Sequence, residues 1–315
     1  SDEAKARKMC DDASFFNREA IYYPAKDAIF YSADVHGNQI TGERLRCISR
    51  IINHSSTGEG VLTVVTTMDG IADRLIPVER FKEAVITLDY SSEIEPEKLA
   101  KKLVAMGFVR TGMVEDKGQF AIRGGIIDIF SYTDEAPVRI ELWDTEVDSI
   151  RMFDVESQRS IERLQSYSIF PATEYIFTED ELKNGLYNIK EECDRQLECF
   201  DYGKRKRTKE QIEAGNNLNK LVADVERTGN YEKFTDTLVA DTVGLAEYFP
   251  EENTLVVLDE PNRLKECNEL TLYEYNESMK NRLAAGYVLP SQTNKVKAMN
   301  EIIGDLRNNK KLILT

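Results

Sequence analysis

Histidine, tryptophan and cysteine are scarce: the 315 residues hold two histidines, one tryptophan and five cysteines. Cys10, Cys47, Cys193, Cys199 and Cys267 form no C-x-x-C pair and stand at no ligand spacing from a histidine. That leaves no signature of a metal site or a disulfide framework, and an odd number of scattered cysteines reads as free thiols in a reducing cytoplasm. No apolar run approaches the ~20 residues that cross a bilayer, and no signal peptide is visible. A cytoplasmic protein without a membrane partner is therefore expected. No G-x-x-x-x-G-K-[ST] loop occurs, so nothing cradles phosphates and no cofactor is expected. Positive charge is short as well: 41 basic residues stand against 56 acidic ones, for a net charge of −15. That balance argues against an autonomous nucleic-acid binder, which needs a basic footprint. His36 and His54 lie in polar, loop-like sequence with no partner cluster and read as surface residues.

What is present divides into three stretches. Residues 1–92 alternate helix and strand. "TGERLRCISRIIN" repeats Leu45, Ile48 and Ile52 at helical spacing. "GVLTVVTT" is a continuous β-branched run of the kind found in a central parallel strand buried on both faces. "MDGIADRLIP" reads as a short helix closed by Pro77. Near residue 93 the pattern changes. "EIEPEKLAKKLVAMG" is a helix with Pro96 in its first turn and Gly107 past its end. Strands follow at 108–115, 118–123, 126–131, 137–143, 147–154 and 164–170. Residues 176–315 return to alternation, with a capping box at Thr178 and Glu181, a buried strand "NTLVVLDEP", a helix "KVKAMNEIIGDLRN" and a last strand "KKLILT". The apolar positions of the first of these helices are Leu186, Ile189, Cys193, Leu197 and Phe200. The fold class is α/β: a parallel-sheet body in two segments, 1–92 and 176–315, with an inserted, mostly antiparallel α+β domain at 93–175. The chain begins in helical sequence and ends in an apolar strand, so both ends read as cut from something longer.

The stretch "GQFAIRGGIIDIF", residues 118–130, sets a question, because its arginine has no place in a core. Side chains alternate across a strand. Phe120 and Ile122 face one way, Ala121 and Arg123 the other; Ile127 and Ile129 oppose Asp128. In "VRIELW", Val138, Ile140 and Leu142 share a face and Arg139, Glu141 and Trp143 share its opposite. One helix covers one face. The other then displays Arg123, Asp128, Arg139, Glu141 and Trp143. Two readings stay open on physics alone. One is a solvated face with cross-strand ion pairs. The other is a protein-binding patch, because Arg and Trp are the residues enriched at binding hot spots.

Two further motifs carry chemistry. "LVVLDEP" ends in Asp259 and Glu260, like a helicase-type Walker B whose acid holds a magnesium ion. Without a phosphate loop that acid has no nucleotide to act on, and the pair reads as vestigial. "GKRKRTK", 203–209, is the one basic run. Lys204, Arg205, Lys206 and Arg207 read as a solvated helix start or as a local contact to DNA or a partner.

The elements "F-A-x-R-G-G-I-x-D-I-F", "V-R-I-E", "E-V-D-S-I-R-x-F-D" and "Q-R-S-I-E" decide between the readings. With them, residues 108–175 densely resemble the UvrB-homology module of bacterial transcription-repair coupling factors, the Mfd family. Weaker similarity extends through "YYPAKDAIFYSADVHGNQITGERLRCISRII" and "VVLDEPNRL". The excision-repair protein UvrB shares the "R-G-x-x-I-D-I-F" hairpin and is the near neighbour. The resemblance implies a degenerate RecA- or helicase-like body, N-terminally truncated, around the inserted domain. It implies recruitment of the damage-recognition ATPase UvrA through that domain, with contacts at Arg123, Arg139 and Trp143 and with Glu141 and Asp128 beside them. Relatives typically carry Phe where this chain has Trp143, so the anchor stays aromatic and changes shape. The resemblance further implies masking of the patch by a C-terminal domain of the same protein. RNA polymerase and DNA would be bound by regions outside this chain, and no catalysis is expected in this part. The alternative from another class is a UvrB- or helicase-type ATP-dependent DNA-remodelling domain. The missing phosphate loop weighs against it.

Overall fold

A computed structural model of the chain describes residues 2–16, 19–26, 34–58, 60–201, 207–229, 231, 234–239 and 241–314. The molecule is mixed α/β and contains both parallel and antiparallel sheets. Its first elements are α1 (Glu3–Phe16), β1 (Ala20–Tyr23), α2 (Asp34–Thr57), β2 (Thr63–Thr66), α3 (Met68–Ile71) and α4 (Val78–Ala84). On α2 the repeat at Leu45, Ile48 and Ile52 is buried, as the helical spacing requires. His36 and His54 lie on this same helix rather than in loops. β1 and β2 pair in parallel. Among the described residues β2 has no other strand neighbour and all four of its residues are only half-buried. The apolar run at 63–66 therefore does not cross the middle of a wide sheet. A β-branched run reports fit to a pleated surface and not the number of strands beside it. The helix expected to reach Pro77 stops at Ile71. Leu75 instead exchanges backbone hydrogen bonds with Val243, at 2.9 and 2.8 Å, a long-range pairing that overrides local helix propensity.

Next come β3 (Ile86–Asp89), α5 (Pro96–Ala105), β4 (Val109–Arg110), β5 (Gln119–Arg123), β6 (Ile126–Phe130), β7 (Val138–Trp143), β8 (Glu146–Phe153), β9 (Ser160–Arg163) and β10 (Ser166–Ile169). Strands β4 to β9 form one six-stranded sheet in chain order. All its pairs are antiparallel except β4 with β5. Pro96 opens α5 at its first position, where a missing N–H costs nothing. Leu99 and Leu103 of α5 join Phe120, Ile127, Ile129, Val138 and Ile140 in one core. Each such side chain contributes about 1.5–3 kcal/mol by leaving water. Two strands differ from the alternation pattern. The one expected at 108–115 shrinks to Val109–Arg110. The one expected at 164–170 leaves this sheet and pairs with β3, and the sheet's last strand is Ser160–Arg163, whose four residues are all exposed. An exposed strand carries no apolar alternation, so the pattern could not mark it. Gly107 closes α5 at φ 88°, and a Cβ there would meet Thr173 at 2.8 Å.

The remaining elements are α6 (Glu179–Asp201), α7 (Lys209–Thr228), α8 (Thr235–Leu238), β11 (Leu255–Asp259), α9 (Pro261–Ala284), α10 (Met299–Asp305) and β12 (Lys310–Leu314). The capping box forms: the Glu181 backbone N–H donates to Thr178 Oγ1 at 3.2 Å, and the Thr178 N–H donates to Glu181 Oε2 at 2.9 Å. Ile189 and Cys193 are buried, with Leu186, Leu197 and Phe200 packed against the same cluster. The composition of β11 predicts a buried strand. Instead it pairs in parallel with β12 alone among the described strands, and Leu255 and Val257 stay exposed. A two-stranded ribbon covers neither of its faces unless another layer lies on it. One core joins Leu45, Ile48 and Phe81 to Leu245 and Tyr248; another joins Met68 and Ala72 to Tyr275, Met279 and Ile302.

Candidate protein-docking site

The Gly124–Gly125 turn shapes the candidate site. Gly124 has φ 61°, and a Cβ on Gly125 would lie 2.9 Å from the Leu142 carbonyl oxygen. The Leu142 N–H donates to the Gly125 carbonyl at 2.8 Å, so this hairpin tip lies against the end of β7. Arg123 stands opposite Ile126, and Ile126 stands opposite Glu141. Trp143 is two residues further along β7. Arg123, Glu141 and Trp143 thus share one face at one end of the sheet, and Asp128 and Arg139 sit as a direct cross-strand pair on that face.

This face is not uniformly open. Towards its other end Ala121 and Phe130 pack with Val114 and Val155. Exposure rises away from that cluster: Arg139 is 11 % and Arg123 43 % exposed at the side chain, and Trp143 is 79 % exposed. Asp128, expected to be displayed, is buried at 1 % because both arginines fold over it. Arg139 Nε and Nη2 donate to its two oxygens at 2.6 and 2.9 Å, and Arg123 Nη2 donates to Oδ2 at 2.6 Å. The Asp128 hydrogen bond is the main reason the Arg139 guanidinium holds its proton even more firmly than usual. Glu141 accepts from Ser149 Oγ at 2.7 Å and is bridged by Arg151.

Sequence reasoning missed a second arginine centre. Arg44 of α2 is 1 % exposed. Its Nε and Nη2 fork onto Glu174 at 2.9 and 3.0 Å, and its Nη1 donates to Asp73 at 2.7 Å and to the Pro24 carbonyl at 3.0 Å. Its guanidinium lies over the Tyr23 ring, 4.4 Å from the centroid, and Lys26 reaches Glu174 at 3.2 Å. Burial alone would raise the Glu174 carboxyl; Arg44 and Lys26 more than offset it and hold the group below its ordinary value. The available signal was an arginine on the apolar face of a predicted helix.

Residues 86–175 match the family model described as UvrB interaction domain. The transcription-repair-coupling factor of Bacillus subtilis (strain 168) is 35 % identical over 296 residues, 90 % of this chain and 24 % of the relative. That of Staphylococcus aureus (strain Mu50) is 31 % identical over 277 residues, 88 % of this chain and 23 % of the relative. Over about nine tenths of its length the chain is similar to transcription-repair-coupling factors. It spans about a quarter of the length of the curated relatives it matches.

The other sequence-marked residues lie apart from this face. Asp259 ends β11, and Glu260 follows at φ 53°. Lys5 of α1 bridges both acids, at 2.7 and 3.1 Å, and their hydrogen bonds raise its affinity for its proton. Lys204, Arg205 and Lys206 lie outside the described residues, and Arg207 directly precedes Thr208, the N-cap of α7. Among the described residues no group of three or more His, Cys, Asp or Glu side chains could hold a metal ion, and no helix is long and apolar enough to cross a membrane.

Proposed function

We propose that this chain is the part of a transcription-coupled repair factor that recruits UvrA, through the face carrying Arg123, Arg139 and Trp143, with Glu141 and Asp128 in support. The observation that carries the reading is Trp143. A tryptophan 79 % exposed on the same sheet face as a half-exposed arginine stands within the stretch that matches a UvrB interaction domain. An open aromatic with a charged neighbour has the composition of a binding hot spot and none of the features of a core.

The rest of the reading follows from the same kinship. Segments 1–92 and 176–315 form one degenerate RecA-like body with 93–175 inserted, and the shared cores of residues 45–81 with 245–248 support this. Asp259 and Glu260 are a vestigial Walker B whose negative charge Lys5 now balances, and this part of the protein performs no catalysis. The translocase motor, the RNA polymerase and DNA contacts, and a C-terminal domain that masks the docking face belong to other parts of the full-length factor, which works in the cytoplasm.

The direct test is to mix the chain with purified UvrA and to follow a complex by size-exclusion chromatography. A complex should form with the wild-type chain. Arg123→Ala and Trp143→Ala should each weaken it at least about tenfold, the scale of a single hot-spot side chain, with circular dichroism unchanged. Normal binding by both correctly folded variants would overturn the proposal.

A further inference from the structure

The two arginines of the docking face are unequal. Arg139 is anchored from three sides. Asp128 takes its Nε and Nη2, the Gln158 side-chain oxygen accepts a second bond from Nη2 at 2.8 Å, and the Phe153 ring lies under its guanidinium, 4.3 Å from the centroid. Gln158 is itself fixed. It adopts φ 58°, its backbone N–H donates to the Asp154 carbonyl at 2.8 Å and its Nε2 donates to the Val155 carbonyl at 2.8 Å. Ser157 closes the same turn by donating N–H and Oγ to Asp154 Oδ1 at 2.8 and 2.6 Å. Arg123 gives only Nη2 to Asp128, and its side chain is four times as exposed, 43 % against 11 %.

We propose that Asp128, backed by Gln158, is the positioning group of the docking face. It holds Arg139 as a fixed strut, and it aims Arg123 outward beside Trp143. The groups a partner touches are then the outer edge of one guanidinium and one indole. The matching partner chemistry is a carboxylate set next to an apolar slot. Arg139 acts through Arg123, because its positive charge shares the single carboxylate and keeps Arg123 from folding fully onto it. This rests on the proposed recruitment of UvrA and deepens it.

Two measurements on the folded chain test the inference, one of them independent of any partner. In ¹⁵N-resolved spectra the Arg139 Nε–H should exchange slowly with water and the Arg123 Nε–H rapidly; in Asp128→Asn both should exchange rapidly. Equal exchange at the two arginines of the wild-type chain overturns the inference. The second measurement is a double-mutant cycle in UvrA binding. Residues that act as one unit are non-additive. Asp128→Asn and Arg139→Ala should each weaken binding about tenfold, and the double variant no more than about twofold beyond the worse single. Strict additivity, or wild-type binding by folded Asp128→Asn, overturns the positioning role. Should Asp128→Asn not fold, Gln158→Ala takes its place in both measurements, with faster Arg139 Nε–H exchange and a smaller, equally non-additive loss expected. No complex with the wild-type chain would overturn the proposed function itself, and the positioning role with it. Slow Arg139 exchange alongside would then show the strut to be only structural.

Discussion

Among the described residues, two arginine–carboxylate centres share nearly the same forked chemistry in different surroundings. At Arg44 and Glu174 a forked pair is sealed at 1–2 % side-chain exposure, with Asp73, Lys26 and Tyr23 around it. At Arg139 and Asp128 a forked pair of the same geometry lies beneath a half-open arginine and an exposed tryptophan. Both use the bidentate bonds that make guanidinium and carboxylate well matched. Burial separates their roles. A fully desolvated pair cannot exchange partners, because leaving either charge alone in the interior is costly. Arg44 reaches from α2 to Glu174, just past β10, and so ties these two segments together. At the second centre Arg123, above the pair, keeps its outer edge in water, and that edge is open to a second protein.

The strongest way to break this contrast is to remove one partner of the sealed pair. Arg44→Ala should cost about 3–5 kcal/mol of stability, because Glu174 is left charged and buried; urea unfolding measures it. A value below about 1 kcal/mol, the size of a surface pair, would put the two centres in one class.

Acid sharpens the same point. The Glu174 carboxyl is held below its ordinary value in the folded chain. Its contribution is present above the usual carboxylate range, near pH 4, and is lost as pH falls through the depressed folded value. The thermal midpoint should therefore drop on acidification, and Glu174→Gln should flatten that drop.

At the open centre the readout is binding. Trp143→Ala should cost about 2 kcal/mol of affinity for UvrA, roughly thirtyfold, with an unchanged urea midpoint. A fallen midpoint would assign the indole to the core. Arg123→Lys should retain charge and lose the planar fork, leaving binding between that of the wild-type chain and Arg123→Ala.

The smallest effect is expected at a charged pair of the surface. Lys5 and Asp259 sit at the surface. Asp259→Ala should leave stability unaltered, and ATP turnover should stay at the buffer blank before and after the change. Turnover that disappears with Asp259 would return the pair to catalysis.

The mostly antiparallel six-stranded sheet was the most legible part of the sequence. Its strands alternate with period 2, and Phe120, Ile127, Ile129, Val138 and Ile140 all enter the core that alternation assigned them. The residues singled out as a patch share the opposite face. Their inequality was not legible: that Asp128 disappears under two arginines follows from side chains meeting across β5, β6 and β7. The parallel strands were misread for a related reason. "LTVVT" and "LVVLD" carry the composition of buried strands, yet each has one neighbour among the described residues and half-buried or exposed side chains.

By itself the sequence determined the local periods, the helix starts at Pro96 and Thr178, the Gly-Gly turn and which side chains share a face, because these depend on neighbours a few residues away. Tertiary structure alone decided which arginines are held and which is offered. Arg44 meets a carboxylate 130 residues distant, Arg139 meets a glutamine from another turn, and Arg123 is left half-exposed. A charge's role depends on how much water its surroundings leave it, and those surroundings are assembled only when distant segments close over it.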